Sequence, residues 1–334
     1  MLRQRNHRNR LLISIFLLVS ILLALTSVMN RKEHSLTPNI ISQTIILIRT
    51  SNRCQTRLTY LLQSWLSSSL AQQSKIYLFT DRIKKYTDKR VLKSFKTIIE
   101  TNCSETHGRF DLCCKTAHEF DFYYHLSRTN PDIEWMCRFD DDQYVNLENL
   151  YKFLPQFDPF SPYYIGRTSL NHRLKTRNHS QTFTFATYGA GVCFSRSLLA
   201  RLRPYVSKTI FPHNCIKQRL SDDAYVGFLT EVILNVTLTS FQELFHSHLE
   251  KLDMSFRQFS FAYLRRAITF GFAWDRYDLS WLPIIHQLIE LIHKGEQQAA
   301  ERLWLFLRNY EKEHPNRSEY KRDQTCLPSQ TERH

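Results

Sequence analysis

The first strictly patterned segment is Thr44-Ile45-Ile46-Leu47-Ile48-Arg49-Thr50, an apolar run that predicts a buried strand. Behind it, Leu58, Leu61, Leu62, Trp65 and Leu66 recur at helical spacing and predict an amphipathic helix over about 57–68. A second strand is predicted from Lys75 to Thr80, ending at Asp81. Strand, helix and strand at this spacing open a βαβ unit, so the fold class is α/β with a largely parallel sheet. A further helix is expected over about 115–128, and Asn130-Pro131 then mark a turn. The strand pattern resumes at Ile133 and runs into Asp140-Asp141-Asp142. Near the C-terminus, 282–307 reads as two amphipathic helices around Gly295.

Ahead of this pattern lies a run from Leu11 to Met29 without a charged residue, preceded by Arg3, Arg5, Arg8 and Arg10. Its length suits a bilayer core of about 30 Å at about 1.5 Å per helical residue. The h-region of a cleaved signal peptide is shorter, and no A-x-A-like site precedes Arg31, so a retained anchor is the preferred reading. The arginine-rich flank puts the N-terminus in the cytosol. The expectation is therefore a tail over 1–10, a transmembrane signal anchor over 11–29, a stem over 30–43, a catalytic domain over 44–255 and a divergent helical region over 256–334. That is a single-pass type II membrane protein with its catalytic domain in the lumen.

Composition narrows the classes further. With 334 residues, 43% of them hydrophobic, the chain can bury a substantial core. The net charge of +14 is partly in the N-terminal tail and otherwise spread out, without a basic helix or aromatic RNA-binding signature, so no nucleic acid is expected as a partner. A positive surface suits anionic sugar nucleotides or acidic partners. Eight cysteines, all beyond residue 50 and without a C-x-x-C repeat, favour disulfides over zinc. Sequons at Asn102, Asn178, Asn235 and Asn316 agree with a secretory route.

Ligands of parallel sheets gather at the carboxyl ends of strands, which makes Thr50 and Asp81 candidate nucleotide contacts, with Arg57 on the intervening helix beside them. Three adjacent carboxylates repel one another and are tolerable at a strand end only if solvated or neutralised by a cation. A divalent ion shared with a substrate diphosphate meets that need and stabilises the charge of a leaving diphosphate. Downstream, Tyr188-Gly189-Ala190-Gly191 offers a loop against which a sugar ring could lie, through Gly189 and Gly191. Ser221-Asp222-Asp223 reads both as a helix N-terminus with acids in its first turn and as a source of a general base. Finally, His246-Ser247-His248 puts two imidazoles at i and i+2, a spacing suited to an ion of the manganese class beside carboxylates.

Phe139-Asp140-Asp141-Asp142-Gln143-Tyr144-Val145-Asn146, Tyr188 to Arg196, Asp222-Asp223 followed by Gly227, and Phe245-His246-Ser247-His248-Leu249-Glu250 resemble the Fringe glycosyltransferases in order and rough spacing. Ile46 to Thr50, Trp65, Phe79-Thr80-Asp81 and Asn102-Cys103-Ser104 fit the same pattern, and the resemblance covers about 44–250. It implies a GT-A, Rossmann-like nucleotide-sugar fold in the Golgi membrane. It also implies inverting transfer of N-acetylglucosamine from UDP-GlcNAc to the 3-hydroxyl of O-linked fucose on EGF-like repeats such as those of Notch. On that resemblance Asp142 and His248 would hold Mn²⁺, Asp140 and Asp141 would bind ribose and donor sugar, and Asp223 would be the base. Disulfides Cys103–Cys114 and Cys137–Cys193 are implied as well.

The chain departs from the family pattern at Ser221, where proline is usual, by one residue inserted before the histidines, and beyond about residue 255. A core 1-like β1,3-galactosyltransferase acting from UDP-Gal on O-GalNAc would keep the same acids. A catalytically silent lumenal binding protein would keep the fold alone. A two-metal phosphoesterase needs more His and Asp ligands than the chain offers.

Overall fold

The computed structural model describes residues 38–83, 93–106, 108–247, 261–271 and 279–313. Its strands are β1 (Thr44–Arg49), β2 (Lys75–Thr80), β3 (Ile98–Glu100), β4 (Trp135–Asp140), β5 (Gln143–Val145), β6 (Tyr164–Gly166), β7 (Leu174–Lys175), β8 (Thr182–Phe183), β9 (Val192–Ser195), β10 (Leu238–Ser240) and β11 (Thr269–Gly271). Seven of them form one sheet in the order β10-β6-β9-β4-β1-β2-β3. Every pairing in it is parallel except those of β9, which runs against both β4 and β6. The protein is thus mixed α/β with a parallel-rich central sheet, as the apolar runs require: all six residues of β1 are buried, which only a strand covered on both faces permits.

The helices that bear on the site or on its surroundings are α1 (Gln55–Leu62), α2 (Arg109–Thr129), α3 (Ile210–Gln218), α4 (Asp222–Phe228), α5 (Leu282–His293), which packs on α1, and α6 (Gln297–Glu313), which packs on α5. The helix expected over 57–68 ends at Leu62, and the chain then passes through an irregular Ser64 into a short 3₁₀ turn at Trp65–Ser67. There the Trp65 indole donates to the Gln143 carbonyl at 3.0 Å, a tertiary bond that overrides the helical spacing. The helix expected over 115–128 is longer in the structure, because Gly108 starts it and Asp111 favours its first turn. The two helices around Gly295 form as expected, and Gly295 at φ +74° supplies the left-handed residue that closes α5.

The principal core lies between β1, β2, β4, β9 and the inner face of α2, where Phe120 meets Phe194 edge-on and Leu47, Phe79 and Met136 are fully enclosed. Each such side chain contributes about 1.5–3 kcal/mol by leaving water. Disulfides pin this core. Cys103–Cys114 and Cys137–Cys193 pair as the resemblance implied, and Cys113–Cys215, which the sequence reading did not assign, ties α2 to α3.

The placement as a single-pass type II Golgi membrane protein is corrected: among the described residues no helix is long and apolar enough to cross a membrane. The run Leu11–Met29, on which the expected anchor rests, lies outside the described residues.

Candidate active site

β4 delivers the acids. Its last residue is Asp140, and Asp141 and Asp142 form the turn into β5. Each carboxylate meets a cation of the chain. Arg138 Nη2 donates to Asp140 Oδ1 at 2.6 Å, while Arg57 Nη1 donates to Asp141 Oδ1 at 2.8 Å and to Asp142 Oδ2 at 3.2 Å. Thr50 Oγ1, just past β1, adds a bond to Asp141 Oδ2 at 2.6 Å. Burial nevertheless dominates: it pushes Asp141 up to about 6 against the pull of Arg57, with the neighbouring Asp142 adding to the rise. Asp140 is raised by burial too, although Arg138 opposes it. The set carries more negative charge than its cations comfortably offset.

Across the cleft, α4 begins with the other two acids, and their surroundings separate them. Asp222 is buried and accepts from Arg49 Nη1 at 2.8 Å and Thr116 Oγ1 at 2.7 Å. Burial would raise its pKa, but Arg49 and then Arg138 outweigh that and hold it below the usual range. Among the described residues Asp223 accepts at Oδ1, from Ser221 Oγ at 2.6 Å and from the Ala224 N–H at 2.7 Å. Burial, and then the charge of Asp222, push it up to about 6. A carboxylate with one anchored oxygen and a pKa near 6 is suited to accept a proton at neutral pH.

Thr50, Arg57, Asp140, Asp141, Asp142, Gly189 and Asp223 line one cleft of about 330 Å³. Asp81 stands behind its wall, where Lys115 Nζ lies 2.7 Å from Oδ1 and Ser51 Oγ donates to Oδ2 at 2.6 Å; both partners do line the cleft. Gly191 sits beneath, at φ +80°, and a Cβ there would strike the Phe139 ring, so its role is to let the loop close over β4. Gln143 Nε2 holds that loop to the acid turn through the Gly189 carbonyl.

Ser247, next to His246, reaches the same place. A Cβ on Gly189 would lie 3.8 Å from the Cβ of Ser247, and a Cβ on Gly271 would meet the Ser247 carbonyl and stand 3.5 Å from that of Asp142. His246 is buried beneath, its Nε2 3.1 Å from the Glu243 carbonyl, and burial, with the charge of Arg167, pushes it down to about 4. His248 lies outside the described residues.

The sequence reading missed the ion network that organises both acid sets. Arg49 Nε donates to Glu119 Oε1 at 2.6 Å, and Arg138 Nε lies 3.5 Å from Glu119 Oε2. Arg138 also donates to the Tyr188 carbonyl at 3.2 Å and stacks on the Tyr188 ring at 4.3 Å. The available signal was a lone arginine inside each of two apolar strands, Arg49 in β1 and Arg138 in β4; a buried cation demands an acid.

Asp142 fits a divalent cation. It offers hard oxygen donors, its side chain is 23% exposed where that of Asp141 is 6%, and its Oδ1 has no partner among the described residues. The grouping of Cys103, Cys114 and His118 does not fit one, because the two sulfurs are bonded to each other.

An acid-rimmed cleft at the carboxyl ends of parallel strands, closed by a glycine loop, is an architecture for binding nucleotides and their sugars. A family model described as Fringe-like matches residues 40–283, and the chain belongs to that family, one of glycosyltransferases. Radical fringe β-1,3-N-acetylglucosaminyltransferase of Gallus gallus is 37% identical over 218 residues, covering 62% of this chain and 55% of its own length. Lunatic fringe β-1,3-N-acetylglucosaminyltransferase of Gallus gallus is 35% identical, covering 62% and 56%. The Fringe glycosyltransferase of Drosophila melanogaster is 34% identical, covering 61% and 48%. The chain thus spans about half the length of these relatives. Among solved structures, a glycosyltransferase involved in the glycosylation of the major capsid of PBCV-1 gives a TM-score of 0.40 at 10% identity, covering 73% of this chain and 98% of that one, and this likeness carries no argument.

Proposed function

We propose that this chain is an inverting, Mn²⁺-dependent β-1,3-N-acetylglucosaminyltransferase of GT-A fold that uses UDP-GlcNAc and acts on O-linked fucose of EGF-like repeats. The observation that carries the reading is the convergence of the strand-end acids and Asp223 on one cleft, in a chain of the Fringe-like family. Asp142, together with His248, would hold the ion, which when bound neutralises the diphosphate and stabilises the charge it gains on leaving. Thr50 and the Lys115 that Asp81 fixes from behind the wall would meet the nucleoside, with Asp140 and Asp141 toward ribose and sugar. Gly189 lets the donor sugar approach the backbone closely.

Asp223 is the base in this reading. Its anchored Oδ1 fixes the carboxylate, and Oδ2 takes the proton of the acceptor hydroxyl as that oxygen attacks the anomeric carbon from the face opposite the diphosphate. Asp222 is the weaker base of the two, since Arg49, and then Arg138, hold its pKa down against burial.

The test is transfer by the purified chain with Mn²⁺, offering UDP-GlcNAc and UDP-Gal separately to an O-fucosylated EGF repeat and to an O-GalNAc peptide. GlcNAc on fucose is the expected product. Galactose on GalNAc would keep the base and overturn the substrates, and silence on all four combinations would contradict the proposal.

A further inference from the structure

Arg57 occupies an unusual place in the acid turn. Its Nη1 alone donates to Asp141 Oδ1 at 2.8 Å and to Asp142 Oδ2 at 3.2 Å, so one cationic nitrogen stands between two carboxylates. The other two arginines of the cleft behave differently: Arg49 and Arg138 are themselves buried, Arg49 holds the enclosed Glu119 and Asp222, and Arg138 reaches out to Asp140 from beneath. Arg57 stands on the first turn of α1 at the cleft wall, and its bond to Asp142 is the longer of its two and is made to a partly open carboxylate, 23% exposed where that of Asp141 is 6%.

A divalent ion binds a carboxylate oxygen at about 2.0–2.6 Å. Seated on Asp142, it would lie within a few ångströms of the Arg57 guanidinium, and like charges at that range repel strongly even under protein screening. Ion and guanidinium therefore compete for Asp142. A guanidinium displaced from carboxylates retains the fork that suits phosphate oxygens, and the cleft is where a diphosphate would lie.

We infer that Arg57 is an internal counter-ion that holds Asp142 until a divalent cation takes it, and that it then turns to the nucleotide diphosphate. This rests on the reading of the acid turn as a site for metal and diphosphate. It predicts opposite signs for two affinities, which neither a plain phosphate-binding residue nor a purely structural one would give.

The experiment measures Mn²⁺ alone by the loss of its free paramagnetic resonance signal, and UDP at saturating Mn²⁺ by calorimetry, on the wild-type chain, R57K and R57Q. Mn²⁺ alone should bind about tenfold tighter to R57Q than to wild type, with R57K between because lysine keeps the charge but not the bridging geometry. UDP should bind about tenfold more weakly to R57Q. Should R57Q fail to fold, R57K still gives the direction, about two- to threefold tighter for Mn²⁺. Equal Mn²⁺ affinity in all three would overturn the exchange and leave the metal site standing. Weaker Mn²⁺ binding in both variants would make Arg57 structural and overturn it. Absence of Mn²⁺ binding in every variant, wild type included, would remove the metal reading and the exchange together.

Discussion

On one wall of the cleft, Asp222 and Glu119 share the guanidinium of Arg49, with Thr116 donating to Asp222 and Arg138 close to Glu119. On the other, Asp140, Asp141 and Asp142 follow one another with Arg138 and Arg57 as their cations among the described residues. In the first set Asp222 is buried and its pKa is held down by Arg49 against that burial; in the second, burial pushes Asp140 and Asp141 toward protonation. Where the chain supplies its own counter-charge, an acid serves the fold. Where one cation is stretched over two acids, as Arg57 is over Asp141 and Asp142, there is room for a charge from outside. The contrast recurs within a single dipeptide, since Asp222 is held by the Arg49 cation while Asp223 has only neutral donors among the described residues and is pushed up to about 6 by burial and then by Asp222.

The strongest way to break the contrast is to uncouple the matched set. Arg49→Met strands Glu119 and Asp222 in the interior, and the loss should be about 3–5 kcal/mol, read as a fall in the urea midpoint. A surface-like loss below about 1 kcal/mol would mean the network is not structural. Next in size, Asp142→Asn should lower metal-dependent transfer by about 10²–10³-fold while the thermal midpoint holds or rises, because one repelling carboxylate is gone. Third, the double variant Cys113→Ala/Cys215→Ala opens a disulfide that spans 102 residues and steadies α3 ahead of the base, and should cost about 2–4 kcal/mol in the same denaturation assay.

The smallest effect is in the pH profile. Asp223 is an active base only when ionised, so kcat/KM should fall with unit slope as pH drops through about 6. Its stability effect has the opposite direction. The folded chain keeps this proton to about pH 6 and the unfolded chain releases it near the ordinary value of 3.8, so stability is lost as pH rises between the two, by up to about 3 kcal/mol at about 1.4 per unit. Asp222, held below its ordinary value, contributes stability that is lost as pH falls.

Much of this was legible because it is local. An apolar strand that stops in three acids, or a glycine pair between a tyrosine and a strand, announces itself within ten residues, and the structure places the acids and the first of the two glycines, Gly189, in the cleft. The Arg49 network was not legible, since its partners lie 70 and 173 residues away and the arginine itself passes for a strand's last residue. The resemblance paired Cys114 with Cys103, but nothing local pointed the adjacent Cys113 to Cys215 on α3, 102 residues away. Asp81 and Gly191 were expected to touch ligand, yet both act from behind the wall, one through Lys115 and Ser51 and the other by its backbone. The helix over 57–68 stopped short because the Trp65 indole finds a carbonyl on β5.

The distinction between compensated and uncompensated acids is tested most directly by Asp222→Asn and Asp223→Asn side by side, each measured for thermal midpoint and for transfer rate. Asp223→Asn should fold with an equal or higher midpoint and lose transfer by about 10²–10⁴-fold, while Asp222→Asn should lower the midpoint because Arg49 loses a partner. An Asp223→Asn chain that keeps its rate, or an Asp222→Asn chain as stable as wild type, would contradict the account.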